Sequence, residues 1–350
     1  MDAVDLPVQP PVEPMLAKAV ATVPAEPGTW SYEPKWDGFR AVVFRDGDEV
    51  MVQSRSGKDL GRYFPELLVS LRDELAPRCV VDGEVVVPRE VDGRTRLDWE
   101  SLSQRIHPAE SRVRKLSEET PAHFIGFDVL AEGDRALLAE PFRARREALS
   151  DVVHPKAFCH VTRTTEDAEQ GTLWLTTFEG AGLDGVIAKR LDGKYLPGKR
   201  DMVKVKHARD ADCVVMGYRI HKSGEGLGSV LLGLYRDDGE LQMVGGAASF
   251  TAKDRIKLLA ELEPLREGDR VNDGEPSRWN SAADKRWIPV RPERVCEVAY
   301  DQMEGRGNDQ RFRHAVKFVR WRPDREASSC AFDQLDVPLK YDLSDVLEGQ

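Results

Sequence analysis

The sequence has no apolar run near the eighteen or so residues a membrane helix needs, which excludes a spanning segment. Its N-terminus, MDAVDLPVQPPVEPM, lacks the basic and apolar stretches of a signal peptide. Cysteine is scarce. The five residues, Cys79, Cys159, Cys213, Cys296 and Cys330, are far apart and form no C-x-x-C pair, which argues against a disulfide framework and a thiolate zinc site. There is no internal repeat and no long low-complexity segment. These absences point to a cytoplasmic globular protein without membrane contact. Its 350 residues suffice for about two domains at roughly 150 residues each.

Basic charge is short overall but not locally. The net charge of −10 taken alone argues against a nucleic-acid partner. Between Lys189 and Lys222, however, ten Lys/Arg face four Asp, and between Arg311 and Arg325 six face one. Affinity for phosphates follows the local field and not the sum. A solvated charged face accounts for such runs equally well until motifs are weighed.

Residues 1–28 hold six prolines and read as an extended arm on the body. Helical spacing then marks residues 63–75, 98–106, 141–153 and 166–181. β-rich runs lie at 40–44, 79–87, 123–130, 185–189 and 202–206. Near residue 208 the character changes. Three strands with Gly-rich turns (212–220, 229–235, 240–246), a helix at 251–262 and strands at 294–300 and 316–321 fit a small Greek-key barrel of the OB kind. The fold expected is α+β: a domain over 1–207 with antiparallel sheets and flanking helices, then an OB barrel over 208–350.

Several short elements carry chemistry-bearing residues. Lys35-Trp36-Asp37-Gly38-Phe39-Arg40 places a lysine between a short β-prone run and a tight turn. A lysine acts as a nucleophile only when deprotonated, and desolvation and nearby cations favour that state. Lys204 and Lys206 alternate on one strand and share a face; an edge strand guarded by charge explains them as well. In the run 80–87 (VVDGEVVV), Asp82 and Glu84 share a side of an apolar strand, where an acid needs a partner such as a ribose hydroxyl or a metal. Phe127 in FIGFDVL is either a stacking platform or a core residue. Asp184, in GLDGVIAK, sits at the mouth of another apolar strand.

Each element is weak alone. Their order over nearly 300 residues is K-x-D-G-x-R, S-R-x-G (54–57), D-G-E, F-D, D-G-V-I-x-K, K-x-K and R-x-D-R (322–325). In that order the chain resembles the ATP-dependent DNA ligases of the covalent nucleotidyltransferase superfamily. It is most similar to the compact bacterial LigC type and the LigD ligase domain, through Pro14-Met15-Leu16-Ala17 and the stretch 182–206.

The resemblance implies that Lys35 takes AMP from ATP. AMP then passes to a DNA 5′-phosphate, and the 3′-hydroxyl seals the nick. It implies that Glu33 accepts the adenine N6 amine, where a carboxylate would repel the guanine O6. Arg40 would contact the nucleotide or the nick, and Glu84 the ribose. Phe127 would stack on adenine, with Val186 or Ile187 as the opposite wall. Lys204 and Lys206 would hold the α-phosphate, and Arg55 the 5′-phosphate of the nick. Asp184 and Glu84 are the candidates for Mg²⁺ or Mn²⁺. Asp37 completes the first motif, and Arg322, Asp324 and Arg325 would orient pyrophosphate.

Two departures stand out: the family usually has Glu where this chain has Asp184, and Lys where it has Arg325, and Arg and Lys are not equivalent. The 34 residues before Lys35 leave no room here for the extra domain of NAD-dependent ligases. A monomer working on nicked double-stranded DNA near the nucleoid is expected, hinged near 208–211, with a primase-polymerase or Ku as candidate partners. An RNA ligase or a capping guanylyltransferase is the nearest alternative; Glu33 argues against GTP but does not separate DNA from RNA. A non-catalytic strand- or end-binding protein would leave Lys35, Asp37, Glu84 and the Lys204/Lys206 pair unexplained.

Overall fold

A computed structural model describes residues 5–91, 93–207, 209–273, 286–305, 310–335 and 339–347. Ala208, at the expected hinge, lies outside them. The chain divides into two units, residues 1–207 with 338–350, and residues 208–337.

In chain order the first unit holds β1 (Leu16–Ala19), β2 (Trp30–Pro34), β3 (Phe39–Asp46), β4 (Glu49–Ser54), α1 (Pro65–Glu74), β5 (Arg78–Val86), β6 (Pro88–Val91), β7 (Arg94–Leu97), α2 (Trp99–Gln104) and α3 (Glu110–Glu119). There follow β8 (His123–Glu132), β9 (Arg135–Ala136), α4 (Phe142–Val152), β10 (Cys159–Val161), α5 (Ala168–Thr177), β11 (Val186–Arg190) and β12 (Arg200–Val205). The larger sheet runs β10-β8-β5-β3-β4, with β9 on β8. Its strands read as continuous apolar runs because both faces are covered. In β3, Ala41 and Val43 join one core with Leu67 and Leu71 of α1 and Leu149 of α4. Val42 and Phe44 join another with Leu6, Val8 and Val12 of the N-terminal arm.

Local signals set the helix ends. Pro65 opens α1 at a position where a missing N–H costs nothing. Asp98 and Asp167 cap α2 and α5 by accepting from Ser101 N (3.2 Å) and Glu169 N (2.9 Å). The expected helix 166–181 appears as α5 followed by a 3-10 turn, Phe178–Ala181, ending at Gly182 with φ +90°.

The second sheet runs β1-β12-β11-β2. Part of the expected arm is therefore sheet: β1 pairs in parallel with β12. The Lys-Val-Lys strand is an interior strand, because β1 and β11 flank it.

In the second unit, β13 (Arg209–Ile220), β14 (Leu227–Tyr235), β15 (Leu241–Ala247), α6 (Ala252–Leu262), β16 (Ile288–Pro289), β17 (Val295–Tyr300), β18 (Met303–Glu304), β19 (Arg311–Phe312) and β20 (Lys317–Trp321) follow in order. The main path is β15-β14-β13-β17-β20. It closes on itself through a parallel bridge between Ala247 and Val316, where Val316 N donates to Gly246 O at 3.0 Å. Closure removes the free edges, and a helix between the third and fourth long strands completes the OB pattern. All five cysteines are buried free thiols. Among the described residues no helix is long and apolar enough to cross a membrane.

One boundary differs from the expectation of a barrel over 208–350. The last helix, α7 (Leu343–Leu347), belongs to the first unit. Leu343 and Val346 are buried there with Trp174, Phe178 and Leu97, and Asp342 accepts from Thr95 N at 3.1 Å. Two apolar residues three apart on a short helix supply the driving force, and the first unit supplies the complementary surface. Leu343→Ala should destabilise the first unit by about 2–4 kcal/mol, with Leu339→Ala, at an exposed site, as a neutral control. Denaturant unfolding that separates the two units checks this.

Candidate active site

The register of the second sheet lines up the first group of residues. Ile187 on β11 is opposite Glu33 on β2 and opposite Lys204 on β12. Side chains in one such row share a face, so acid, apolar wall and ammonium face the same space. A one-residue slip would turn all three away. They line a cavity of about 240 Å³ together with Lys35, Arg40, Arg55, Glu84, Phe127 and the arm residues Pro14–Ala17. The structure thus gathers eight residues singled out in the sequence, spread from 33 to 204.

Lys35 follows directly on β2. Its N–H donates to Gly185 O (2.8 Å), and Asp184 N donates to Lys35 O (3.0 Å). This reciprocal pair sets the side chains together: Lys35 Nζ lies 2.5 Å from Asp184 Oδ2, and Lys206 Nζ lies 3.1 Å from the same oxygen. Gly185 has φ +130°, and a Cβ there would lie 2.1 Å from Val205 O, so only glycine fits. Burial works against charge on Asp184, but Lys35 and Lys206 hold its carboxyl below the usual range. Burial, with Lys35 and Lys206 nearby, holds the Lys204 ammonium below its ordinary value.

Arg40 and Glu84 face each other across β3 and β5. Burial pushes Glu84 up to about 7, against the pull of Arg40 and Lys35; Asp37 is among the charges it feels. Gly38 N donates to Glu84 Oε1 at 3.2 Å, and a Cβ on Gly38 would meet Val85 O at 2.2 Å. Arg40 is held by a closed ring of hydrogen bonds. Its Nε and Nη2 donate to Asp82 Oδ1 and Oδ2, both at 2.6 Å. Tyr195 Oη donates to Asp82 Oδ2 (2.6 Å) and accepts from Met15 N (3.0 Å), while Met15 O accepts from Arg40 Nη2 (3.3 Å). The Arg40 guanidinium lies 4.5 Å from the Phe127 ring centroid.

Glu33 is 3% exposed and ion-paired with Lys189, its Oε1 2.9 Å from Nζ. Its Oε2 is buried and has no hydrogen-bond partner among the described residues. Burial raises Glu33 above the ordinary carboxylate range, and Lys189 and Arg146 pull it back.

The sequence suggested a ribose hydroxyl or a metal as the partner of Asp82, where the structure pairs it with Arg40 and Tyr195, and it assigned no role to Tyr195 or Lys189. Asp82 and Lys189 do lie within quoted motifs, but only the folded register shows what they meet. Arg322, Asp324 and Arg325 belong to the second unit. There Arg322 binds Asp212 (2.9 Å) and Asp324 (2.8 Å), and Arg325 lies 3.4 Å from Asp212.

A lysine set among cations and one carboxylate, at a cavity lined by an aromatic ring and a free buried acceptor, joined in the chain to an OB barrel, defines a nucleotidyltransferase architecture. Residues 14–206 match the family model of the ATP dependent DNA ligase domain, and residues 223–325 that of the ATP dependent DNA ligase C terminal region. The chain is 79% identical over 347 residues to DNA ligase C1 of Mycolicibacterium smegmatis, covering 99% of this chain and 100% of that one. It is 50% identical over 365 residues to DNA ligase C of Mycobacterium tuberculosis, covering 98% and 99%. It is 31% identical over 324 residues to the multifunctional non-homologous end joining DNA repair protein LigD of Mycobacterium tuberculosis, covering 90% of this chain and 39% of LigD. The chain belongs to the ATP-dependent DNA ligases.

The Arg40–Asp82 pair yields a stability test. Asp82→Ala strands the guanidinium and should cost about 3–5 kcal/mol. Adding Arg40→Ala should cost clearly less than the sum of the single changes, as a double-mutant cycle in denaturant would read.

Proposed function

We propose that Lys35 is the nucleophile of this ligase and carries AMP as a lysyl phosphoramidate between ATP and a DNA 5′-phosphate. The observation that supports this most is the placing of Lys35 Nζ 2.5 Å from Asp184 at a cavity that Glu33 also lines. The amine needs a free lone pair to attack the α-phosphate. Contact with Asp184 keeps it aimed, and the proton it carries there must leave before attack. Nζ–P bond formation expels pyrophosphate. The 5′-phosphate of the nick then takes the adenylyl group from Lys35, and the 3′-hydroxyl displaces AMP to close the backbone.

The other residues take matching parts. Glu33 Oε2 is a buried acceptor that the adenine N6 amine would satisfy. Phe127 and Ile187 form the walls, and Glu84 binds the ribose. Lys204 and Lys206 meet the charge that develops on the α-phosphate. Arg40 contacts the nucleotide or the nick. Arg55, exposed on the turn after β4 and lining the cavity, grips the nick phosphate. Asp37 bears on Glu84, and the Arg322–Asp324–Arg325 group orients pyrophosphate.

Among the described residues no three His, Cys, Asp or Glu side chains form a metal cage. The two carboxylates Glu84 and Asp184 suit Mg²⁺ or Mn²⁺ arriving with ATP, because such ions keep water and phosphate oxygens as most of their ligands. Bound there, such an ion would neutralise phosphate charge. The substrate is nicked double-stranded DNA and the setting is repair, which the likeness to LigD supports. A Ku-type or primase-polymerase partner fits that setting.

Mixing with ATP should add the mass of one AMP to the wild type and none to Lys35→Ala, which should seal no nick. Arg55→Ala should keep the mass shift and lose sealing by about tenfold or more, since only the DNA contact is removed. A Lys35→Ala protein that still takes up AMP would overturn the assignment. Paired all-DNA and all-RNA nicks read the substrate class in the same assay.

A further inference from the structure

The environment of Glu33 carries a consequence for base selection, resting on the reading that Glu33 faces the purine. The Lys189 side chain is 3% exposed, and its Nζ is the group that makes the contacts. It donates to Phe127 O at 2.9 Å and lies 4.7 Å from the centroids of both Phe127 and Phe142. Its close counter-charge is Glu33 Oε1. The next carboxylate, Asp128, is 4.0 Å away and already receives two hydrogen bonds from Arg145, at 2.7 and 3.1 Å. Protonating Glu33 would leave a buried ammonium without its close partner, which is costly.

The remaining charges around Glu33 act in both directions. Arg146, on α4, favours the ionised form, and Asp128, on β8, opposes it. Lys189, on β11, is the one in hydrogen-bond contact.

The protonation state decides what Oε2 can read. An ionised carboxylate only accepts, whereas a protonated one also donates. As an acceptor, Oε2 welcomes the 6-amino group of adenine and meets a 6-oxo group lone pair to lone pair. As a donor it would bond a 6-oxo group well. We infer that Lys189 is a specificity-determining residue that does not touch the nucleotide: by pairing with Glu33 Oε1 it keeps the free oxygen a pure acceptor, so the site admits 6-aminopurines and rejects 6-oxopurines.

The test compares ATP with inosine triphosphate, which carries the 6-oxo group without the 2-amino group of guanine. Initial rates of nucleotidyl transfer to the full-length protein give kcat/KM for each, from about pH 6 to about pH 8.5. In the wild type the ratio should favour ATP strongly and stay within about threefold across that range. In Lys189→Met it should fall by about tenfold or more, most at the acid end, while Lys189→Arg, which keeps the charge, restores it. A Lys189→Met protein with the wild-type ratio at every pH overturns the inference. So does a Lys189→Arg protein as unselective as Lys189→Met, since packing and not charge would then set the ratio. If Lys189→Met does not fold, the wild-type profile decides, because a ratio that collapses on acidification means that Lys189 does not hold Glu33 ionised. A wild type that never distinguishes the two nucleotides overturns the inference by a different route: Glu33 then does not read the base at all, and that part of the proposed function fails with it.

Discussion

The carboxylate of Asp184 is bonded to two ammonium groups at once, and a third, on Lys204, is close by. Like charges gathered at a partly dry cavity repel, and without a shared counter-ion the side chains would turn outward to water. Much of the local fold serves that contact. The reciprocal backbone bonds between Lys35 and residues 184 and 185 tie β2 to the start of β11. Glycine at 185 lets the chain pass against Val205 O. The interior position of β12 fixes Lys204 one strand away from Ile187. The aspartate, shorter than the glutamate usual in the family, bonds both lysines directly.

Around this centre lie further ion pairs, each with at least one partner buried and each joining two different strands or a strand and a helix: Arg40 with Asp82, Arg145 with Asp128, Lys189 with Glu33. Such pairs seldom add much stability over apolar replacements, because desolvation offsets most of the attraction. What they supply here is direction. Arg40 is held against Phe127 through a ring that includes a backbone segment of the arm, so residues 14–17 are part of the site's wall. The arm is fastened by apolar burial at Leu6, Val8 and Val12 and by the pairing of β1, and proline leaves it few conformations to lose.

The second unit achieves its order by other means. Its barrel is closed by one short parallel bridge and filled by side chains from five long strands and α6. The basic motif after β20 is neutralised within the unit by Asp212, Asp324 and Glu297. A run that looks like a free positive patch in sequence is thus partly spent on ion pairs.

Strands and helices were legible in the sequence wherever the cause is local. The α2 cap at Asp98, the helical spacing in α1 and the apolar run of β5 all act within a few residues, and the barrel strands fall within about three residues of their expected ends. Short or polar elements such as β1, β6, β7 and α3 carry too little periodicity to be read. The candidate site residues were legible because ordered motifs carry them. Which acid meets which base was not. Asp82 and Glu84 look equivalent on one strand, yet one is locked to Arg40 and the other is left at the cavity. Lys189 reads as one more basic residue in a charged run, yet it is buried against Glu33. The C-terminal segment counts with the barrel in sequence, as part of 208–350, yet its helix packs on the first unit. Sequence pattern determines what each segment is. Register between strands far apart in the chain, and the burial it imposes, decides what each charged side chain faces, and only the tertiary structure contains that information.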